Sequence, residues 1–400
     1  MKVLFLGSVI KTEDCTKYKG PSVAGNKMQI GLIKGLSNLF GEGLTVFTQV
    51  PIAAFPKEKK LFIRKGEINL VNSISAFKVS FINLFIIKQL LLIINTFIMI
   101  VRWSLLYKSD KKVIICFNAF PYISIPVLFV GKIFKFKTVC LFADPPIDVV
   151  KRGLIGKCAK YIEDKATRNN IQKFDGLIVL NEQSVKKYAP NSKYILVDGG
   201  FDLIDTPTNE PGGQWLNYEA KDTVIAVFSG ALIEYNGIIN LVEAVKIMDN
   251  DFFVMEFYGS GPLVEYVKKA AEEDSRIKFK GNVPNSKMMI IQQEAGILIN
   301  PRIVNDPVSL YTFPSKIIEY LLSGTPVATT KLNGLTEKYL ENVFVFKDDT
   351  PKEIAKTIDY FIQLDKQLLI KKGEKGRRFI VENKNWDIHS KRIKKFIEKI

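Results

Sequence analysis

Along the chain, unbroken apolar runs of four to six residues alternate with segments in which apolar positions recur every three or four residues. Runs such as KVLFLG at residues 2–7, KVIICF at 112–117, KTVCLF at 137–142 and GILI at 296–299 carry no polar alternation. They therefore read as strands covered on both faces, the pattern of a parallel sheet. The segments 27–40, 124–136, 161–171, 238–247 and 263–272 keep a helical period. Strand and helix alternate in both halves, which predicts an α/β chain built as two Rossmann-like domains. The loop at 206–220, rich in Pro, Gly and polar residues, reads as a linker or a variable loop.

One segment departs from this rhythm. Residues 81–103 are almost continuously apolar, interrupted only by Lys88-Gln89 and Asn95-Thr96. The uncharged run at 89–101 is 13 residues long, about 20 Å as a helix against a hydrocarbon core of about 30 Å, so it is too short to span a bilayer. Two readings stay open, a helix buried against a sheet and an interfacial helix dipping into one leaflet beside Lys78, Lys88 and Arg102.

Charge sharpens the choice of partners. The net charge of +16 is uneven: residues 1–200 hold 30 Lys and Arg against 13 Asp and Glu, and the rest hold 27 against 28. A basic first half that also carries long aliphatic runs suits an anionic membrane surface. Nucleic acid is the poorer match, because no helix-turn-helix, zinc-finger or RNA-binding-sheet motif is present. Cys15, Cys116, Cys140 and Cys158 have no metal-ligand spacing and read as reduced thiols, and the N-terminal strand does not read as a secretory signal. These features lead to the expectation of a cytoplasmic protein, peripheral on the inner face of the membrane.

The candidate chemistry concentrates at 300–333. An apolar strand ending at Ile299 leads through a loop to Pro314-Ser315, where a short helix is expected to begin and to end at Ser323-Gly324. First-turn amides and the positive end of the helix dipole, with Lys316 beside them, suit a diphosphate. Glu319 lies one turn further on, on nearly the same face, where a carboxylate can accept both hydroxyls of a ribose. Arg302, at the start of the loop, offers a guanidinium fork as a second cation. An ordinary amphipathic helix packed on a sheet, with Ser315 as a cap and Lys316 and Glu319 solvated, is the alternative.

The string PSKIIEYLLSGTPV resembles the nucleotide-sugar site of the family 4 (group 1) retaining glycosyltransferases, whose GT-B fold has two Rossmann-like domains facing across a cleft. FSGALIEYNGIINLVEAVK from Phe228, FYGSGP from Phe257, FKGNVPNSKM from Phe279 and the terminal NWDIHSKRIKKFIEKI follow in family order. This resemblance implies an acceptor-binding domain over 1–202, with a terminal helix at 386–400 packing back on it, and a nucleotide-sugar domain over 203–385. It implies a phosphate loop at Gly230, close backbone approach at Gly259 and Gly261, and contact with the nucleobase through main chain near Val283. Gly25 matches the glycine of the first loop that approaches the donor. Two positions depart from the family: the first acid of its paired-glutamate motif falls on Tyr311, leaving Glu319 alone, and its Lys-Gly is Asn236-Gly237 here, with Lys316 as the replacement cation.

The activity so implied is transfer of a sugar from a UDP- or GDP-sugar to a lipid-linked or glycan acceptor, with Lys316 and Arg302 neutralising the leaving diphosphate, no metal and no cofactor. Asp144 ends a strand at the point where many relatives place a histidine. It is the candidate acceptor-positioning group or weak base, or else a plain turn residue before Pro145. Because the first acid is missing, a non-catalytic GT-B partner subunit is the alternative function.

Overall fold

The computed structural model describes residues 1–71, 74–108, 110–147, 153–202 and 223–400. The expected linker at 206–220 lies outside the described residues. The chain divides into two compact units, Met1–Gly200 with Trp386–Ile400, and Phe201–Asn385.

The first unit holds strands β1 (Lys2–Gly7), β2 (Leu44–Thr48), β3 (Phe62–Ile63), β4 (Gly66–Val71), β5 (Ile74–Lys78), β6 (Phe81–Ile82), β7 (Lys112–Phe117), β8 (Lys137–Phe142), β9 (Gly176–Val179) and β10 (Tyr194–Leu196). Eight of them form one sheet in the order β10-β9-β8-β7-β1-β2-β5-β4, and β3 pairs with β6 separately. The runs read as doubly covered strands are central: β1 pairs in parallel with β2 and β7, and β7 with β8. Val3, Phe5, Ile115, Val139 and Leu141 are buried in the core beneath them. The hairpin β4–β5, antiparallel at one edge, carries no strong apolar run and was not evident from the sequence.

Helices α1 (Val23–Phe40), α2 (Phe85–Leu106), α3 (Pro121–Phe134), α4 (Leu154–Ile171) and α5 (Glu182–Tyr188) connect these strands. The terminal helix Trp386–Lys399 packs on α1. Its Trp386 ring occupies the space a side chain on Gly31 would need, and Ser390 does the same at Gly35. Trp386, Ile393 and Ile397 thereby complete the core of the first unit.

Helix α2 corrects the expected break and with it the expectation of a segment too short to span a bilayer, and it is buried on one face only, which leaves room for both open readings. It is one continuous helix of 22 residues, and its polar residues anchor it. Gln49 Nε2 donates to Thr96 Oγ1 at 2.8 Å, Asn95 Nδ2 to the Ser80 carbonyl at 2.8 Å, and Trp103 Nε1 to Thr45 Oγ1 at 3.2 Å. Only one stripe, Leu92, Thr96, Ile100, Trp103 and Ser104, is buried.

The second unit is an all-parallel six-stranded sheet. Its strands are β11 (Val224–Ser229), β12 (Phe253–Tyr258), β13 (Ile277–Gly281), β14 (Ile297–Asn300), β15 (Val327–Thr330) and β16 (Phe344–Phe346), in the order β13-β12-β11-β14-β15-β16. Helices α6 (Ile238–Ile247), α7 (Val264–Glu273), α8 (Asn285–Glu294), α9 (Pro307–Tyr311), α10 (Lys316–Ser323), α11 (Glu337–Leu340), α12 (Pro351–Ile362) and α13 (Lys366–Asn383) lie between and after them. Order reverses at β11/β14, the kind of switch point where parallel sheets gather ligands.

Candidate functional site

At the carboxyl edge of the second sheet, three loops interlock through their backbones. Gly230 N donates to the Tyr258 carbonyl, Gly259 N to the Gly281 carbonyl, and Leu232 N to the Ser260 carbonyl, all at 2.8–2.9 Å. A Cβ on Gly259 would lie 1.8 Å from the Gly230 carbonyl oxygen, and one on Gly261 2.4 Å from that of Leu232. Both glycines have positive φ, 133° and 156°, so their lack of a side chain permits the stacking of the loops. Gly237, at φ 73°, is pressed against the Pro301 carbonyl in the same way.

Lys316 opens α10 and reaches back over this shelf. A Cβ built on Gly230 would come 2.2 Å from Lys316 Cε and 2.6 Å from Nζ, so Gly230 makes room for the lysine. Loss of solvent lowers the Lys316 pKa, and Glu319 one turn away opposes that shift. Among the described residues neither Lys316 nor Glu319 makes a hydrogen bond or ion pair. Glu319 and Ser315 are exposed and Lys316 is half-buried. A cation that has lost part of its solvation and makes no ion pair can take an anionic ligand.

A residue that sequence reasoning passed over fixes this geometry. The fully buried Tyr320 places its Oη 2.9 Å from Ser229 N, which donates to it, and 3.3 Å from Ser229 Oγ. Gln292 Nε2 in turn donates to Ser229 Oγ at 3.1 Å. The end of β11 and the start of α10 are thereby pinned together. The available signal was a tyrosine four residues after Lys316 in a stripe otherwise apolar.

Ser315 makes no side-chain cap, the part the ordinary-helix alternative gave it. The amides of Ser315, Ile317 and Ile318 already donate to the carbonyls of Phe313, Pro314 and Ser315, so the first turn closes on itself and the positive charge of Lys316 is the main attraction for an anion. Arg302 is buried: Nε donates to Ser309 Oγ and Nη2 to Thr312 Oγ1, both at 2.9 Å, and the guanidinium lies 5.3 Å from the Tyr235 ring centre. Burial lowers its pKa. The fork is engaged in holding the 301–313 loop, which contains the short α9, and so is not presented to a diphosphate.

The remaining residues of this unit frame the shelf. Asn236 Nδ2 donates to the Ala231 carbonyl at 2.7 Å and so braces the glycine loop. Tyr311 ends α9 and is half-buried, and Val283 lies half-buried in the loop after β13.

Gly25 and Asp144 belong to the first unit. Helix α1 begins four residues earlier than expected, so Gly25 sits in its first turn, its N–H bonded to the capping Ser22 Oγ at 3.1 Å, and not in a preceding loop. Asp144 follows β8 and is organised by Asn118, another residue the sequence did not single out. Asn118, buried and left-handed at φ 63°, accepts from the Ala143 and Asp144 amides at 2.9 Å through Oδ1 and donates to Asp144 Oδ2 at 2.8 Å through Nδ2. The surrounding protein raises the Asp144 pKa by desolvation, and the Asn118 bond opposes that rise. The residue itself is exposed to solvent.

Two Rossmann-like units, the second with a glycine shelf and a lone lysine at its switch point, define the GT-B class of folds. Residues 217–377 match the family described as glycosyl transferases group 1. An uncharacterized glycosyltransferase of Methanocaldococcus jannaschii, MJ1069, is 26% identical over 187 residues. That match spans 45% of this chain and 46%, about half, of the length of the relative. Among solved structures, the fold is similar to that of a sucrose-phosphate synthase from Thermosynechococcus elongatus, with a TM-score of 0.68, 14% identity, and coverage of 100% of this chain and 99% of that one. It is also similar to Anabaena HepE in complex with UDP and glucose, with a TM-score of 0.64, 15% identity and full coverage of both chains.

Proposed function

We propose that the protein is a retaining glycosyltransferase that moves a sugar from a nucleotide-diphosphate donor to a lipid-linked or polysaccharide acceptor at the cytoplasmic face of the membrane. The observation that carries the reading is the Lys316 ammonium, held against Gly230 at the glycine shelf with no ion pair to its side chain among the described residues. The group 1 match over the same unit and the UDP bound by the HepE neighbour support it.

In this reading the acceptor hydroxyl attacks the anomeric carbon on the face from which the diphosphate departs. The bond from that carbon to the phosphate oxygen breaks, and the hydroxyl proton passes to the departing phosphate. Lys316 neutralises the charge that grows there, a type of stabilisation that needs no metal. Glu319 accepts from the ribose hydroxyls, and Asp144, set by Asn118, orients the acceptor. A nucleotide-sugar is the substrate, and no cofactor takes part.

Thermal shift with UDP-, GDP- and ADP-sugars, followed by donor hydrolysis and transfer assays, tests this proposal. We expect stabilisation by one nucleotide class, lost in Lys316→Ala and weakened in Glu319→Ala. Stabilisation by none of them would sink the reading. Binding without turnover would instead favour a non-catalytic partner subunit, which the tyrosine at position 311 in place of an acid also favours.

A further inference from the structure

The first unit turns an apolar surface outward. Leu90, Ile94 and Ile98 recur every four residues on the exposed face of α2, opposite the stripe it buries, and Ile125, Phe129 and Ile133 do the same on α3. The two helices pack side by side, with the Phe97 and Phe129 rings 5.9 Å apart. Phe129 is 58% exposed and Leu106, at the end of α2, 74%. Isolated exposed leucines need no explanation, whereas two adjoining stripes on neighbouring helices form a contiguous patch. Residues 81–142 also hold eight Lys and Arg against one acid, Asp110, and Arg102, Lys108, Lys132 and Lys135 are exposed.

We propose that the outer face of α2 and α3 seats the protein on an anionic lipid bilayer, with both helices lying in the plane of the interface and their apolar stripes entering one leaflet. The helix α2 is long and apolar enough to cross a membrane. It is nevertheless tied to the first sheet along its length, by Lys88 to the Ile52 carbonyl, Asn95 to Ser80, Thr96 to Gln49 and Trp103 to Thr45. Standing upright would break these bonds and strip the stripe from Leu92 to Ser104 off the core, so the exposed side alone is available to lipid. A second copy of the chain is the poorer occupant. A twofold contact would set the same cation-rich rim against itself, whereas acidic headgroups complement it.

This deepens the acceptor side of the proposed function and rests on that reading only for the lipid anchor of the acceptor. Flotation with vesicles, in the absence of any sugar nucleotide, tests it. Wild type is expected to float with vesicles of phosphatidylcholine containing about one-third phosphatidylglycerol, and to float much less with phosphatidylcholine alone or in high salt. Ile94→Glu with Phe129→Glu should reduce binding by about tenfold or more, since both positions are exposed and the change places charge in the leaflet. Arg102→Glu with Lys132→Glu should remove the preference for anionic vesicles. All variants should keep the melting temperature and the donor-induced shift of the wild type. Wild type that stays soluble, flotation unchanged by Ile94→Glu with Phe129→Glu, or a dimer that those substitutions split without altering flotation would each overturn the proposal. Vesicle binding by a chain that turns over no donor would sink the glycosyltransferase reading and leave this one standing.

Discussion

Gly230 and Lys316 share one space: the methyl that alanine would add at position 230 falls within the side chain of the lysine. Gly230→Ala should therefore displace the ammonium and reproduce much of the donor-binding defect of Lys316→Ala. Loss of one charge-assisted contact is on the order of 1.5–3 kcal/mol, or about 10- to 150-fold in affinity. In a double-mutant cycle the two changes should be strongly non-additive, because each removes the same interaction. Donor titration by calorimetry on the four proteins reads the coupling, and additive losses would show that the lysine acts elsewhere.

Arg302 gives the opposite expectation. With its guanidinium bound to Ser309 and Thr312 and lying over Tyr235, Arg302→Ala should cost about 1–3 kcal/mol of stability by removing the donor to the buried Ser309 hydroxyl and the second bond to Thr312. The donor affinity of the folded fraction should change little. Denaturant unfolding beside donor binding separates the two effects, and a selective loss of donor affinity would restore this arginine as a phosphate ligand.

Asn118 acts through Asp144. Asn118→Ala leaves two backbone amides and one carboxylate oxygen without their partner, and should lower stability by about 1–3 kcal/mol. Asp144→Asn keeps the shape and removes the charge. If Asp144 orients the acceptor, that variant should lower kcat or raise KM for the acceptor while KM for the donor holds. An unchanged acceptor dependence would reduce Asp144 to a turn residue.

Lys88 supplies a pH test. Burial lowers its pKa from 10.5 to about 8 in the folded protein. Between about pH 8 and 10.5 the unfolded chain holds more protons at this site than the folded one, so the stability contribution rises with pH across that window. Below it the folded state carries the full cost of the buried charge, on the order of 1–3 kcal/mol. Lys88→Met should therefore flatten the stability profile above pH 8, as measured by unfolding at a series of pH values. A profile that keeps its slope would show that the ammonium is well solvated.

The parallel sheets were legible because β1, β7, β8 and β14 are apolar on both sides, a signature that needs no tertiary knowledge. Gly230, Gly259, Gly261 and Lys316 were legible through their spacing and the family resemblance. Direction was not legible. Asn95 and Thr96 look like interruptions of an apolar run, yet both turn toward the protein and anchor α2. The guanidinium of Arg302 has the same chemistry whether it meets a phosphate or a serine, and only packing decides between them. Asn118 carries no local mark of the left-handed backbone that lets it organise a residue 26 positions away.

The seating of Trp386 and Ser390 against Gly31 and Gly35 bears on how the chain matures. During synthesis the first unit emerges early but lacks part of its interior until residues 386–400 leave the ribosome. The second unit, whose residues are contiguous, has all its pieces sooner. Removing the helix at 386–399 should therefore injure the first unit and spare the second.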